Sequence, residues 1–233
     1  MDHRAGRDAG VSQQLLSLFD VDEVQVMSPV RDMVVAPVSR ADVDQFCQRW
    51  HYSKTGGNMT WNYGLWDGHV LVGCVSYNLP TLDVCKSVFG EEGASWVTHM
   101  GRLVCAENAP RIAESRLIAG SLRLFRHDYP QVRAVVTYAA SGVGHIGYVY
   151  QATNALFCGL ANPRHFYVDE HGRSRSTKQG QYLSIEDART RGWAVRYDSA
   201  KYRYLYLLGS RSDRKQLLRM LKWPVLPYPK ATP

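Results

Sequence analysis

Residues 96–141 read WVTHMGRLVCAENAPRIAESRLIAGSLRLFRHDYPQVRAVVTYAAS, and this stretch decides the fold. The apolar run 96–105 is typical of a strand. Over 111–129 the apolar residues recur at helical spacing, which predicts an amphipathic helix. The continuous apolar run 134–141 predicts a buried strand. A strand, a helix and a second strand in this order indicate an α/β protein.

Shorter elements are predicted on both sides of this unit. The elements before it are a strand at 33–39, a helix at 39–52 and a hairpin at 59–79 around Asp67-Gly68. Directly after it, the glycine loop Gly142-Val143-Gly144 is expected to open a second helix from about His145 to Phe157. The elements predicted further on are a helix at 184–191, a strand at 202–209 and a helix at 212–221.

The element order predicts one mixed central sheet with helices on both faces, because an antiparallel meander feeds two βα units. We expect a ligand at the carboxyl ends of the strands, near Cys105 and Ser141, where neighbouring strands diverge. The predicted organisation has three parts: an N-terminal arm (1–33), a single domain (34–223) with a basic last third (164–223), and a Pro-rich tail (224–233).

The net charge of +7 is unevenly distributed along the chain. Residues 1–163 hold 13 Lys and Arg against 15 Asp and Glu, a net of −2, whereas residues 164–233 hold 15 against 6, a net of +9. Such a basic region predicts a polyanion partner, and charge alone does not choose between DNA and RNA. A hydrophobic content of 45 %, with 14 Tyr and 6 Trp, excludes a disordered chain.

Cysteine use and hydropathy predict where the protein resides. The five cysteines show no C-x-x-C spacing, and we interpret them as reduced thiols of an intracellular protein. The polar N-terminal residues lack the apolar stretch of a signal peptide. Residues 134–163 contain no Asp, Glu, Lys or Arg, but His145 and Gln151 within them argue against a bilayer span.

The predicted element order resembles the N-acetyltransferase-type (GNAT) fold. In that fold the strand that here ends at Cys105 precedes a loop of pattern (Gln/Arg)-x-x-Gly-x-(Gly/Ala), whose N–H groups contact a pyrophosphate. This chain reads Arg111-Ile112-Ala113-Glu114-Ser115-Arg116, with Glu114 and Arg116 in the glycine positions. A carboxylate facing a pyrophosphate is repulsive, so acetyl-CoA is disfavoured as a cofactor.

Four segments resemble the phage Mom family of DNA modification proteins: His51-Tyr52-Ser53, MGRLVC (100–105), Ala113-Glu114-Ser115 and GHIGYVYQATN (144–154). The resemblance covers about residues 35–222. It implies a phage- or prophage-encoded enzyme in the cytoplasm of a bacterial host. Such an enzyme converts adenine N6 in DNA to N6-carbamoylmethyladenine and protects the DNA from host restriction. The resemblance leaves the donor open, with an aminoacyl-tRNA as one candidate, and admits iron as a cofactor.

The resemblance assigns catalytic roles to five residues, namely His51, Tyr52, Arg102, Ser115 and Tyr150. His51 can shuttle a proton or ligate a metal, and Tyr52 can stack on a base or donate a hydrogen bond. The competing structural interpretation makes this pair a helix cap and a core aromatic.

Arg102 lies within an apolar strand, where a charge must be paired or must face a cleft. It is either a clamp on a phosphate or carboxylate or the partner of Glu107 or Glu114 in a buried ion pair. Ser115 either anchors the donor or is an ordinary residue of the first helical turn.

The residues assigned to substrate or DNA binding are Tyr63, Ser141, His145, Gln151, Arg164, Arg173, Arg175 and Lys178. Cations interleaved with aromatic residues suit a nucleic-acid backbone. A flipped adenine could stack on Trp61, Tyr63 or Tyr77 of the hairpin. Ser141 belongs to a turn whose N–H groups could hold an anion, and it stands where the family pattern leads us to expect an acidic residue. Gln151 needs a polar partner, either a ligand or a buried network.

Two other functions remain open from the sequence. One is an ordinary acyl-CoA-dependent N-acetyltransferase acting on a small amine or a protein. The other is a non-catalytic DNA-binding phage protein, with salt-sensitive affinity and no covalent product.

Overall fold

The computed structural model describes residues 27–175, 178–179 and 181–230. Its centre is a seven-stranded sheet with the strand order β1-β2-β3-β4-β5-β12-β6. The strands of this sheet are β1 (Val34–Pro37), β2 (Trp61–Asp67), β3 (Val70–Asn78), β4 (Val97–Cys105), β5 (Ala134–Ala140), β6 (Leu156–Ala161) and β12 (Lys201–Leu207). The short strands outside it are β7 (His165–Val168), β8 (Ser174–Arg175), β9 (Lys178–Gln179), β10 (Gln181–Tyr182) and β11 (Ala194–Tyr197).

The sheet is open between β4 and β5, because these two strands pair over only part of their length. These two strands are parallel, and they pair only from Val97 to His99, while the neighbouring pairs on either side are antiparallel. Beyond His99 both strands continue without pairing to each other, to Cys105 and to Ala140. The sheet therefore diverges at the carboxyl ends of β4 and β5, where the sequence predicts a ligand.

Helices cover both faces of the sheet, so the predicted fold class is confirmed. The helices are α1 (Arg40–Trp50), α2 (Leu82–Phe89), α3 (Ala113–Asp128), α4 (Tyr148–Ala152), α5 (Ile185–Thr190) and α6 (Arg211–Met220). On one face α3 buries Phe125, whose ring stacks on Tyr77 of β3 at 4.7 Å between centroids. On the other face Phe46 of α1, Val88 of α2 and Leu217 of α6 are buried in two further apolar clusters.

One predicted helix is wrong. Between His145 and Phe157 the chain forms the short helix α4 and then enters strand β6. Gly147 (φ +79°) precedes α4 and Asn154 (φ +63°) follows it, and these left-handed residues confine the helix to one turn and a half. The apolar residues that follow form β6, which pairs with β12. A short apolar run of this kind has the same sequence pattern in a buried strand as in a buried helix.

Other parts of the chain also differ from the sequence-based expectations. Helix α2, which follows Pro80-Thr81, was not predicted. Most of the N-terminal arm (1–26) lies outside the described residues, but Val30 and Met33 at its end are buried in the main core. In the basic last third, before the helix predicted at 184–191, the chain contributes β8 to a three-stranded sheet of order β11-β7-β8. Within the described ranges, no helix has both the length and the apolar character needed to span a membrane.

Candidate active site

A cavity of about 850 Å³ opens at the divergence of β4 and β5. Its walls are the carboxyl ends of these strands, the end of α1, the first turn of α3 and the loop that leads into α4. The candidate residues that line it are His51, Tyr52, Arg102, His145, Tyr150 and Arg164. The fold thus brings together residues that are more than 100 positions apart in the sequence.

His51 lies at the carboxyl end of α1, where its backbone N–H donates to the carbonyl of Cys47. Its side chain is buried, and Nδ1 accepts a hydrogen bond from the backbone N–H of Ser53 at 3.1 Å. Burial, together with the charges of Arg102 and His145, lowers the pKa of His51 to about 4. The ring is therefore neutral at pH 7. Because Nδ1 is an acceptor, the ring proton is on Nε2.

Two exposed tyrosines flank the cavity mouth. Tyr52 is 62 % exposed, and its ring centroid lies 4.3 Å from that of His51 and 6.2 Å from that of His145. Tyr148 at the start of α4 is 64 % exposed and also lines the cavity. Aromatic rings that remain accessible at a cavity mouth can stack on a planar ligand. Tyr148 was missed because it was predicted inside a long buried helix.

Arg102 tethers β4 to the loop after α1. Its Nε donates to the carbonyl of Thr55 at 3.0 Å, and Nη1 donates to the carbonyl of Gly101 at 2.9 Å. The positive φ of Gly57 (+67°) favours glycine there, and a Cβ at this position would lie 2.8 Å from Nη2, so the guanidinium would have to shift. The alternative interpretation, an ion pair with Glu107 or Glu114, is not formed. The cation therefore stays free of any carboxylate among the described residues and can serve an anionic ligand.

Glu114 is the acidic side chain that the first turn of α3 brings to the cavity. Burial raises the pKa of this carboxyl group, and the charge of His145 opposes the shift. The sequence comparison with the pyrophosphate loop singled out Glu114 as a misfit, and it was not included among the site residues. A raised pKa next to a cavity is a signal of function that only the structure provides. Ser115, the predicted neighbour, is not among the residues that line the cavity.

The other polar residues of the α4 region mostly support the fold. Tyr150 lines the cavity, and burial raises the pKa of its hydroxyl to about 12. Gln151 donates to the carbonyl of Ile146 at 3.2 Å and to Tyr204 Oη at 3.1 Å. Ser141 donates to the carbonyl of Ala200. Gln151 and Ser141 therefore have intramolecular partners, as the structural interpretation of the sequence requires.

A second part of the cavity is rich in cations. Arg164, Lys201 and Arg203 line it beside His99 of β4. Burial, together with the charges of Arg102, Arg164 and Lys201, lowers the pKa of His99 to about 4. The cavity thus has a positive end around a neutral histidine, which favours a ligand with negative charge.

Several predicted residues lie outside the cavity. Tyr63 is only 3 % exposed and packs against Tyr77 and Phe125, so the expectation that it stacks on a base is wrong for this structure. Tyr77 is fully buried as well, and Trp61 packs on Phe125 and Tyr129.

Arg173 and Arg175 bind Asp169 within the small sheet, through Nε atoms that lie 3.0 and 2.8 Å from Oδ2. They do not line the cavity. Lys178 is in β9, and its side chain lies outside the described ones.

A metal site does not fit the described residues. His51, His145 and Glu114 line the same cavity, yet no three His, Cys, Asp or Glu side chains among the described residues come together as a metal-binding group. The Nδ1 atom of His51 is already bonded to Ser53. Two histidines and a carboxylate are ligand types that iron takes, but the described side chains are not grouped closely enough to hold the ion.

A protein family and one curated protein match this chain in sequence. The model of the Mom protein family matches residues 32–230. Methylcarbamoylase mom of Escherichia phage Mu is 28 % identical over 191 residues, which cover 77 % of this chain and 76 % of the phage protein.

Solved N-acetyltransferases are similar to the chain at low sequence identity. The spermidine/spermine N-acetyltransferase SpeG of Vibrio cholerae has a TM-score of 0.45 at 11 % identity, covering 81 % of this chain and 97 % of that one. Arabidopsis thaliana NAA60 also has a TM-score of 0.45, at 13 % identity, covering 76 % of this chain and 99 % of that one.

Proposed function

The chain belongs to the Mom protein family, and from this premise we propose that it is a DNA modification enzyme that converts adenine N6 to N6-carbamoylmethyladenine. The modification protects phage DNA from host restriction. The observation that carries the proposal is the cavity between β4 and β5, where a neutral His51, a carboxyl with raised pKa (Glu114) and a carboxylate-free Arg102 surround space for a ligand. A volume of about 850 Å³ lies in the range of small-molecule sites.

The target base reaches the cavity by leaving the DNA stack. In a duplex the N6 amine is base-paired and held in the stack, out of reach of an enclosed cavity, so an enzyme of this kind extrudes the nucleotide. Tyr52 and Tyr148 at the mouth offer exposed rings on which the extruded adenine stacks. They replace Trp61, Tyr63 and Tyr77 in this role. The cations at the positive end of the cavity, Arg164 and Lys201, attract the phosphates beside the flipped nucleotide.

Glu114 is the proton acceptor in this proposal. Substitution at N6 removes one of the two amine protons, and a general base must take it. The raised pKa of Glu114 brings this carboxyl group closer to the operating pH. His51 acts as a neutral hydrogen-bond donor through Nε2–H, because Nδ1 accepts a hydrogen bond from Ser53 and the ring proton is therefore on Nε2. Arg102 holds an anionic group of the donor molecule.

The donor differs from acetyl-CoA in this proposal. Glu114 occupies the start of α3, where a pyrophosphate would need bare N–H groups, and its carboxylate faces the same cavity. The positive end of the cavity is compatible with an aminoacyl-tRNA as donor. No step is assigned to iron, because the described residues do not form a group that could hold it.

Mass spectrometry of nucleosides tests the proposal directly. DNA from cells that express the protein should contain N6-carbamoylmethyldeoxyadenosine, and DNA from cells with His51→Ala or Arg102→Ala should not. Tyr197→Phe, an exposed residue outside the cavity, is the matched control and should modify normally. Plasmid from the wild-type cells should also resist restriction enzymes whose sites contain adenine.

The alternatives predict different results. If all deoxyadenosine in the DNA were unmodified although the protein is folded, the proposal would be rejected. Saturable acetyl-CoA binding with an acetylated amine would favour an N-acetyltransferase. Salt-sensitive DNA binding without any adduct would favour a non-catalytic DNA-binding protein.

A further inference from the structure

A second groove lies at the end of the sheet opposite the cavity. Its volume is about 760 Å³, and it runs between the second half of α3 and the first half of α6. β12 is antiparallel to β5, so its carboxyl end, at Leu207, lies beside Ala134 at the amino end of β5. The cavity is at the carboxyl end of β5. The two openings are therefore separated by the length of the strand.

Five cations line this groove. They are Arg123 and Arg126 of α3, and Arg211, Arg214 and Lys215 of α6. All five are exposed, and none forms an ion pair with a described carboxylate at salt-bridge distance. The sequence hides this cluster, because two members come from the near-neutral first 163 residues and three from the basic last third.

Asp213, the acidic residue in the first turn of α6, is already engaged. Asp213 caps α6 by accepting hydrogen bonds from the backbone N–H of Ser210 at 2.8 Å and from its hydroxyl at 2.7 Å. These hydrogen bonds from Ser210 lower the pKa of the Asp213 carboxyl, and the charges of Arg133 and Arg126 make smaller contributions in the same direction. One carboxylate thus faces an excess of cations, and the groove keeps a net positive charge. The floor includes Tyr206 and the half-exposed Leu218, which leaves apolar surface between the charges.

Helix α3 sets the distance between the groove and the cavity. Glu114 lines the cavity and Arg126 lines the groove, twelve residues further along the same helix. At about 1.5 Å per residue the separation along the axis is roughly 18 Å. B-DNA rises about 3.4 Å per base pair, so this distance equals about five base pairs.

We propose that this groove binds the phosphate backbone of the DNA duplex about five base pairs to one side of the target adenine. The inference rests on the proposed function, because it takes the polymer whose base enters the cavity to be the polymer whose backbone reaches the groove. Exposed cations without carboxylate partners are the groups that release counterions on binding phosphates. Single-stranded or structured RNA is the competing polyanion, and the experiment separates the two.

The groove is tested by fluorescence anisotropy from about 50 to 200 mM salt, with a mixed-sequence DNA duplex of about 30 base pairs and, in parallel, a single-stranded RNA of about the same length. The test variants are Arg123→Gln/Arg126→Gln and Arg214→Gln/Lys215→Gln, one pair from each wall. Arg40→Gln/Arg189→Gln is the matched control, since it removes the same charge from exposed positions outside both openings. Thermal unfolding of each variant shows that it is folded.

Each wall pair should reduce the slope of log Kd against log salt by about 1.8, which follows from about 0.9 per phosphate contact. Over that salt range the wild type should then lose about tenfold more affinity than either variant, while the control follows the wild type. In a linear duplex, adenines within about five base pairs of one end of their own strand, either the 5′ or the 3′ end, should also carry fewer adducts. This end effect should disappear in the wall variants.

The outcomes separate the two proposals. Equal salt slopes for wall variants and control would overturn the groove assignment, whatever the adduct result. Loss of RNA binding with unchanged DNA binding would also overturn it and assign the groove to RNA. Reduced slopes in the wall variants without any adduct from the wild type would support the groove and reject the modification activity.

Discussion

The small sheet β11-β7-β8 and the cavity between β4 and β5 differ in whether their ionisable groups have partners within the chain. In the small sheet, buried Asp169 accepts hydrogen bonds from Arg173, Arg175 and two backbone N–H groups, which hold the pKa of its carboxyl far below the usual range. In the cavity, the pKa shifts of His51 and Glu114 favour the neutral forms. The first arrangement satisfies charge within the chain, whereas the second leaves groups ready for a ligand.

Among the variants considered, Glu114→Gln should have the largest effect, a loss of adduct formation at the cavity. The amide keeps the shape of the side chain but cannot accept a proton, so adduct formation should fall by about 100-fold or more. The matched control is Glu107→Gln, an exposed carboxylate outside the cavity, which should leave the rate unchanged. Single-turnover rates from nucleoside mass spectrometry measure both.

The pH profile separates a catalytic Glu114 from a structural one. Because burial raises its pKa above the ordinary value of 4.5, the wild-type rate should rise with pH through that higher pKa as the carboxylate forms. His51 is already neutral above about pH 5, since its pKa is about 4, and adds no step near neutrality. If Glu114→Gln retained the wild-type rate and the same acidic limb, the proton acceptor would have to be another group.

Tyr52→Ala should have the next largest effect. Stacking of a base on an aromatic ring contributes about 1–3 kcal/mol, so the loss should weaken substrate binding by roughly 5- to 150-fold. Tyr52→Phe keeps the ring and should restore most of the affinity. Tyr197 of the small sheet is 64 % exposed, close to the 62 % of Tyr52, so Tyr197→Ala is a control of equal exposure. Equal losses at both positions would contradict a stacking role for Tyr52.

Much of the fold follows from local sequence pattern. The hairpin β2–β3, strand β4, helix α3 and strand β5 lie close to their predicted positions, because each carries a clear period or a turn signal. Strand β6 is not predicted from the sequence, because its residues form a strand only by pairing with β12, some 45 residues later. A partner so distant in sequence leaves no local signature.

The site was harder to predict than the fold. His51, Tyr52 and Arg102 came from a motif resemblance, and the structure brings all three to one cavity. Glu114 stood in the sequence as a departure from a loop pattern, and its role depends on burial, which no spacing reveals. The prediction that Tyr63 stacks on a base is wrong because a tyrosine in a strand can face either a ligand or the core, and here burial places it in the core.

Acid should loosen the small sheet before the central one. The pKa of Asp169 is depressed, so the stability that it contributes is complete above its ordinary value of 3.8 and is lost as pH falls below it. Amide hydrogen exchange of β7 and β8 should therefore accelerate between about pH 4 and 3 relative to β5. In Asp169→Asn the exchange of β7 and β8 should be fast already at pH 7. Uniform acceleration across both sheets would remove this distinction.

Arg173→Gln/Arg175→Gln should change DNA binding least. Both side chains are bonded to Asp169, and a phosphate would have to compete with this carboxylate for them. Cations that are already neutralised by a carboxylate of the chain contribute little to counterion release, so we expect the affinity for duplex DNA to change by no more than about twofold. The groove variants lose the same formal charge and should lose affinity as described above. A tenfold loss in the small-sheet variant would instead mean that Asp169 positions these arginines for DNA, and that internal pairing does not mark a structural cation in this protein.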